Sequence, residues 1–203
     1  MGHANVIPMP CLPELVAALA PTTSIVELTR LARHEDDEVV AAVASNPSAP
    51  SALLGMLCLR FAPQVLANVV LPWVLLDEPF FFARLDEPRA LAVIRQQPLG
   101  DDVLGSLASH SSYMVRVQTV MHPSSSVALL RRLSTDVNPF VRRAVGSRQH
   151  CPTDVITALA AHEDPITRQG VAVNEACPPD VLATLATDAN RNVREIATSR
   201  RRR

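Results

Sequence analysis

The stretch Leu133-Ser-Thr-Asp-Val-Asn-Pro-Phe-Val-Arg-Arg-Ala-Val145 returns 26 residues later as Leu159-Ala-Ala-His-Glu-Asp-Pro-Ile-Thr-Arg-Gln-Gly-Val171. The same frame holds from Asp102 to Arg200. Its leucines are Leu107, Leu133, Leu159 and Leu185, each 26 residues after the last. Eight residues beyond them stand Val115, Val141, Thr167 and Val193, and twelve beyond stand Thr119, Val145, Val171 and Ala197. The ninth position is Arg116, Arg142, Arg168 and Arg194. A fixed period in this range marks a stacked helical repeat.

Each repeat reads as two helices. Ser112, Asn138, Asp164 and Asn190, five residues after the leucines, are side chains that cap a helix by accepting an orphan backbone N–H. Pro139 and Pro165 follow at the first helical position, where a missing N–H costs nothing. The residues at eight and twelve then form an i, i+4 pair on the inward face of the second helix. The leucine-bearing helix opens on Pro152-Thr153-Asp154 or Pro178-Pro179-Asp180, whose carboxylates suit the positive end of the helix dipole. Helices of roughly 8–10 residues are too short to stand alone in water. They must stack.

Outward from this core the frame extends toward the N-terminus. Leu31 takes the anchor role with Asp36 as cap, Val39 and Val43 as the inward pair and Asn46-Pro47 as the stop. Leu57 follows with Pro63, Val65 and Val69, and then Phe82 with Pro88, Ala90, Ile94 and Pro98. Seven anchors result: Leu31, Leu57, Phe82, Leu107, Leu133, Leu159 and Leu185. The third repeat is irregular, because it gathers Trp73, Phe80, Phe81 and Phe82 and places Pro79 where the leucine-bearing helix should run. That proline predicts a broken or shortened helix. The expected organisation is one elongated all-α solenoid, a right-handed superhelix of about seven two-helix repeats. Residues 1–22 form a lead-in and capping helix, 23–200 the repeats and 201–203 a basic tail.

Composition narrows the function classes. Hydrophobic residues make up 48% of the chain and aromatics only 3%, as small contacts between close-packed helices require. All 19 basic residues are arginine. Charge is uneven: residues 1–102 carry 12 acidic and 6 basic side chains, the remainder 8 acidic and 13 basic. No apolar run approaches the ~18 residues of a membrane span. The scattered cysteines suit reduced thiols, and a cytoplasmic location is expected. Six isolated glycines offer neither a phosphate-cradling loop nor a nucleophile elbow, so no enzyme is expected.

The pattern Pro-x-x-Val-Leu-x-x-Leu-Ala…Asp/Asn-Pro-x-Val-Arg-x-x-Val-Ala-x-Asn-Pro resembles the leucine-rich repeat variant, a bacterial relative of HEAT and armadillo repeats. The resemblance covers residues 12–200 and is weakest over 71–100. It implies a superhelical binding scaffold. The founding protein of that family also holds an iron–sulfur cluster on clustered N-terminal cysteines. Cys11 stands alone here, so no cofactor is carried over. HEAT-like repeats also build alkylpurine DNA glycosylases, a likeness of repeat class only.

Two readings of the candidate binding residues stay open. The arginine ladder, Arg116, Arg142, Arg168 and Arg194, either ties the stack together through Asp residues or faces a ligand. Asp164 lies four residues before Arg168, with Asp136 and Asp188 as further partners. With Arg131, Arg132, Arg143, Arg148 and Arg191 it makes a candidate basic face. Trp73, Phe80 and Phe81 are either seam fillers or anchors for a partner, since interface hot spots favour aromatics. His34, His110 and His162, three residues past their anchors, suit cations at helix C-termini and lie too far apart for a metal. Arg200–Arg203 reads as a solvated tail or as a contact for an anionic partner. The leading expectation is a protein-interaction scaffold with no membrane and no small-molecule substrate. The alternative is a nucleic-acid-binding module on the arginine-rich half.

Overall fold

The structure, a computed structural model, describes residues 13–201. Among them are fourteen α-helices, one 3-10 turn and no strand. The chain divides into two compact units, Met1–Glu78 and Pro79–Arg203. The division falls at Pro79, inside the irregular repeat.

The first unit holds α1 (Pro13–Leu19), α2 (Ile25–Leu31), α3 (Asp37–Ser45), α4 (Ser51–Ala67) and α5 (Leu71–Asp77). Asp36 caps α3 through the N–H of Glu38, and Val39 and Val43 are fully buried against α1 and α4. The Leu57 repeat departs from expectation. Its two helices merge into α4, which bends at Phe61 (φ −124°, ψ 33°), two residues before Pro63. A proline lacks the N–H and crowds the preceding turn, so the helix cannot run straight through it. Asn68 then closes α4, and Val69 lies beyond the helix with 70% of its surface exposed. The expected inward partner of Val65 is therefore not inward.

The second unit begins with the 3-10 turn Phe82–Arg84, all that remains of the leucine-bearing helix after Pro79. Phe82 is fully buried there, and Phe81 packs edge-on to it at 4.9 Å between ring centroids. Next come α6 (Glu87–Ile94), α7 (Asp101–Leu107), α8 (Tyr113–Met121) and α9 (Val127–Leu133). α10 (Pro139–Gly146), α11 (Thr153–Ala160), α12 (Pro165–Val173), α13 (Pro179–Leu185) and α14 (Arg191–Arg201) complete it. α6, α8, α10, α12 and α14 pack side by side in that order, while α9, α11 and α13 each bridge the two neighbours in sequence.

All seven anchors are buried, as are both members of every inward pair in the second unit. Ser112, Asn138, Asp164 and Asn190 each accept the N–H of the residue two on, as capping demands. α10 and α12 approach so closely that a Cβ on Gly170 would sit 2.2 Å from the carbonyl oxygen of Arg143. A backbone atom cannot swing aside as a side chain end can. Gly170→Ala should therefore cost about 1–3 kcal/mol of unfolding free energy, the range for overpacking, in urea denaturation of the whole chain. An unchanged midpoint would mean that the two helices are not in contact at this point.

Candidate functional site

The arginine at position nine of each repeat is turned along the stack. Arg116 grips Asp136, 20 residues on, through Nε (2.7 Å) and Nη2 (2.9 Å). Its Nη1 donates to the carbonyls of His110 (2.8 Å) and Ser111 (3.0 Å), which end its own preceding turn. Arg168 repeats the arrangement with Asp188 at 2.7 and 2.8 Å and with the carbonyls of His162 and Glu163. Arg194 donates in the same way to Asp188 and Ala189. The local pairing of Arg168 with Asp164, four residues before it, does not form. Asp164 instead accepts from its own helix start and from Arg142 at 3.4 Å.

Arg142 shows why the pattern bends. The position 20 residues beyond it is His162, which cannot receive a guanidinium side-on as a carboxylate does. Arg142 Nε therefore donates to Thr167 Oγ1 (3.0 Å), whose hydroxyl in turn donates to Asp164 (2.6 Å). Thr167 is fully buried at a position where the other repeats of this stretch carry valine. Its hydroxyl is the substitute partner. The Nδ1 atoms of His34, His110 and His162 accept the N–H of Asp36, Ser112 and Asp164, at 2.9–3.0 Å. Asp136 and Asp188 use one carboxylate oxygen for the same turn. These histidines thus hold the loop between paired helices as acceptors, in place of the expected cation at a helix end.

A second ladder escaped the sequence reading. Fifteen residues past Leu31, Leu107, Leu133, Leu159 and Leu185 stand Asn46, His122, Arg148, Asn174 and Arg200. Each donates back to carbonyls roughly one repeat earlier: Asn46 to Ala18 and Ala20, Asn174 to Gly146 and Arg148. His122 reaches Gln96, Arg148 reaches Met121 and His122, and Arg200 reaches Ala172 and Asn174. Asn68 does the same in the shortened repeat. The recurrence of polar residues at one place in the period was the available signal. Arg200 is accordingly engaged within α14 and not part of a free tail; Arg202, Arg203 and Cys11 lie outside the described residues.

The candidate basic face is therefore mostly consumed. Arg131 pairs with Asp154, Arg132 donates to Gly105 and Ser109, and Arg191 pairs with Glu195. Arg116 and Arg142 are each only 9% exposed. Of the nine arginines proposed for that face, Arg143 alone makes no side-chain hydrogen bond or ion pair among the described residues, and it is exposed. The aromatic candidates separate too. Trp73 (69%) and Phe80 (53%) are exposed, whereas Phe81 (5%) is packed against Phe82 and is withdrawn from the candidate set. Val69, Trp73 and Leu76 expose one side of α5 and its lead-in.

A groove that sequence reasoning missed crosses α8, α10 and α12. It encloses about 500 Å³, and its walls include Tyr113, Met114, Met121, Phe140 and Val173, with Arg143 among them. The rings of Tyr113 and Phe140 lie 6.0 Å apart and join α8 to α10. Met114 and Phe140 share one position of the period, and Met121 and Val173 share another, both outside the inward pair. An apolar residue recurring on the outward side was the overlooked signal. Cys58, Cys151 and Cys177 are buried and form no disulfide with one another, and burial pushes the Cys151 thiol up to about 11, the opposite of an activated nucleophile. Among the described residues no His, Cys, Asp and Glu side chains gather in a metal-binding cluster, and no single helix is long and apolar enough to cross a membrane.

Comparison of the chain with models of known protein families, with curated proteins and with solved structures finds no match.

The ladder carboxylates are held below the usual range. At Asp188 the hydrogen bond from Arg168 dominates; at Asp136 burial pushes upward but the Arg116 and Asn138 hydrogen bonds outweigh it. A carboxyl depressed in the folded state stabilises the fold above its unfolded value, near ~3.9, and that contribution is lost as pH falls through the folded value. Asp136→Ala should cost about 3–5 kcal/mol at pH 7 by stranding a buried guanidinium. In melting temperatures measured from pH 7 to pH 2, the gap to wild type should narrow only below about pH 4. A gap independent of pH would remove the ion pair from the account.

Proposed function

We propose that this chain is a non-enzymatic protein-interaction scaffold of the α-solenoid class, built from HEAT-like repeats of the leucine-rich-variant type. A cytoplasmic setting suits its reduced, buried thiols. The observation that carries the reading is the apolar groove across α8, α10 and α12. Tyr113, Met114, Met121 and Phe140, each between 39% and 45% exposed, stand on one surface of helices whose opposite sides supply the core. Exposed apolar surface gathered into a concave site is costly in water and marks a binding surface more often than an accident of folding. Thioethers adapt their shape to what they meet, which suits a peptide. Trp73 and Leu76 in the first unit offer a second apolar surface of the same kind.

The nucleic-acid reading loses its main support, because the arginines meant to track phosphates are mostly directed at carbonyls and carboxylates of this chain. Selection of peptides from a displayed random library on the full chain tests the choice. Peptides binding at micromolar strength, weakened about tenfold by Phe140→Ala at a temperature where circular dichroism shows the variant still folded, are expected. Duplex or single-stranded DNA binding that falls steeply with salt, with no Phe140-dependent peptide recovered, would overturn the scaffold reading.

A further inference from the structure

Charge in the groove is one-sided. Its lining contains a single charged residue, Arg143, and no carboxylate. Arg143 stands in the last turn of α10, while Tyr113 and Phe140 open α8 and α10 and Met121 and Val173 end α8 and α12. The other eight arginines proposed for the basic face already donate within the chain, so among those nine Arg143 is the one whose five N–H donors remain uncommitted. A cation set in an apolar wall attracts an anion more strongly than one in open solvent, because the partner's arrival removes water from both.

The shape of the site bears on which anion. A phosphodiester backbone places a charge at every nucleotide and is gripped by several cations in a row. Here the same position of the period one repeat earlier is Val117 and one repeat later Gln169, so the row offers one positive charge with uncharged neighbours. A lone guanidinium fits the planar fork of one carboxylate. The surrounding thioether, aromatic and aliphatic carbons fit an apolar side chain next to it.

Resting on the scaffold reading, we propose that this groove takes a segment of a partner protein in which an apolar anchor residue lies beside an Asp or Glu. The anchor fills the space between Phe140, Tyr113 and Met121, and the carboxylate pairs with Arg143. The site is thus an acidic-apolar peptide reader, and Arg143 sets its specificity while the apolar walls supply its affinity.

The test is a pair of library selections, one on the wild-type chain and one on Arg143→Glu, each followed by anisotropy titration of the recovered peptides. Because the Arg143 side chain is exposed and unpaired, Arg143→Gln should melt as wild type does, and Arg143→Glu, which sets a carboxylate in the last turn of α10, should melt only slightly lower and stay folded at assay temperature. Wild type should recover apolar peptides rich in Asp and Glu next to the anchor. Arg143→Glu should bind those peptides at least about tenfold more weakly and recover Lys- or Arg-bearing ones in their place, with Arg143→Gln showing no preference of sign. Recovered peptides of the same composition on wild type and Arg143→Glu, still lost on Phe140→Ala, would overturn the acidic partner and leave the scaffold standing. Peptides indifferent to Phe140→Ala would overturn the scaffold reading of this groove as well. A 20-nucleotide single strand or duplex that binds wild type steeply with salt, and not Arg143→Glu, would assign the cation to phosphate and overturn the proposal.

Discussion

Unsatisfied helix ends are the constraint on which this structure depends. Each α-helix leaves its last carbonyls without partners, and helices of seven to nine residues, as in the repeats from α7 to α13, have few other hydrogen bonds to set against them. The chain meets this with two ladders. Guanidiniums at Arg116, Arg142, Arg168 and Arg194 cover the carbonyls of the loop that leads from the first helix of each pair to the second. Amides, imidazoles and guanidiniums from Asn46 to Arg200 cover the corresponding carbonyls after the second helix, one repeat back. Short helices persist because their ends are tied to neighbours. At Arg116, Arg142 and Arg168 the same group also reaches a carboxylate of the next repeat, so the local repair doubles as the tie between repeats.

That economy shapes what is left for binding. Arginines turned along the stack cannot also face outward, so the charges of Arg116, Arg142, Arg168 and Arg194 are spent within the chain. The outward side of α8, α10 and α12 is left to side chains with no place in the repeat's own bonding: Met114, Phe140, Arg143 and Met121. Tight packing at Gly146 and Gly170 draws α10 and α12 together, whereas Tyr113 and Phe140 bridge α8 and α10 by their rings. The apolar groove arises where the repeat stops dictating residue identity.

Much of the fold was legible because it is local. Caps such as Asn138 and Asp164, first-turn prolines and the inward pairs follow from spacing within one helix, and the anchors follow from the period. The ladder's partners were less legible, since an i−4 rule points Arg168 to Asp164 while its carboxylate lies one repeat away at Asp188. Pro63 was read as a marker in its usual place, yet it bent α4 and put Val69 outside. The frame marks Phe82 as the inward anchor but gives no sign of which of Phe80 and Phe81 is exposed; only packing against the stub helix at Phe82 separates them. The groove escaped because one of its positions carries Met114 and then Phe140 and the other Met121, Ser147 and Val173, so no single residue type recurs.

The central claim is that an arginine of one repeat and an aspartate of the next stabilise the fold jointly. A double-mutant cycle over Arg168→Ala and Asp188→Ala, read from denaturation midpoints of the whole chain, tests it most directly. The account predicts a coupling of about 1–3 kcal/mol, the double variant losing far less than the sum of the singles. Losses that add to within about 0.5 kcal/mol would show that the two side chains act independently, and the ladder would not be what holds the repeats together.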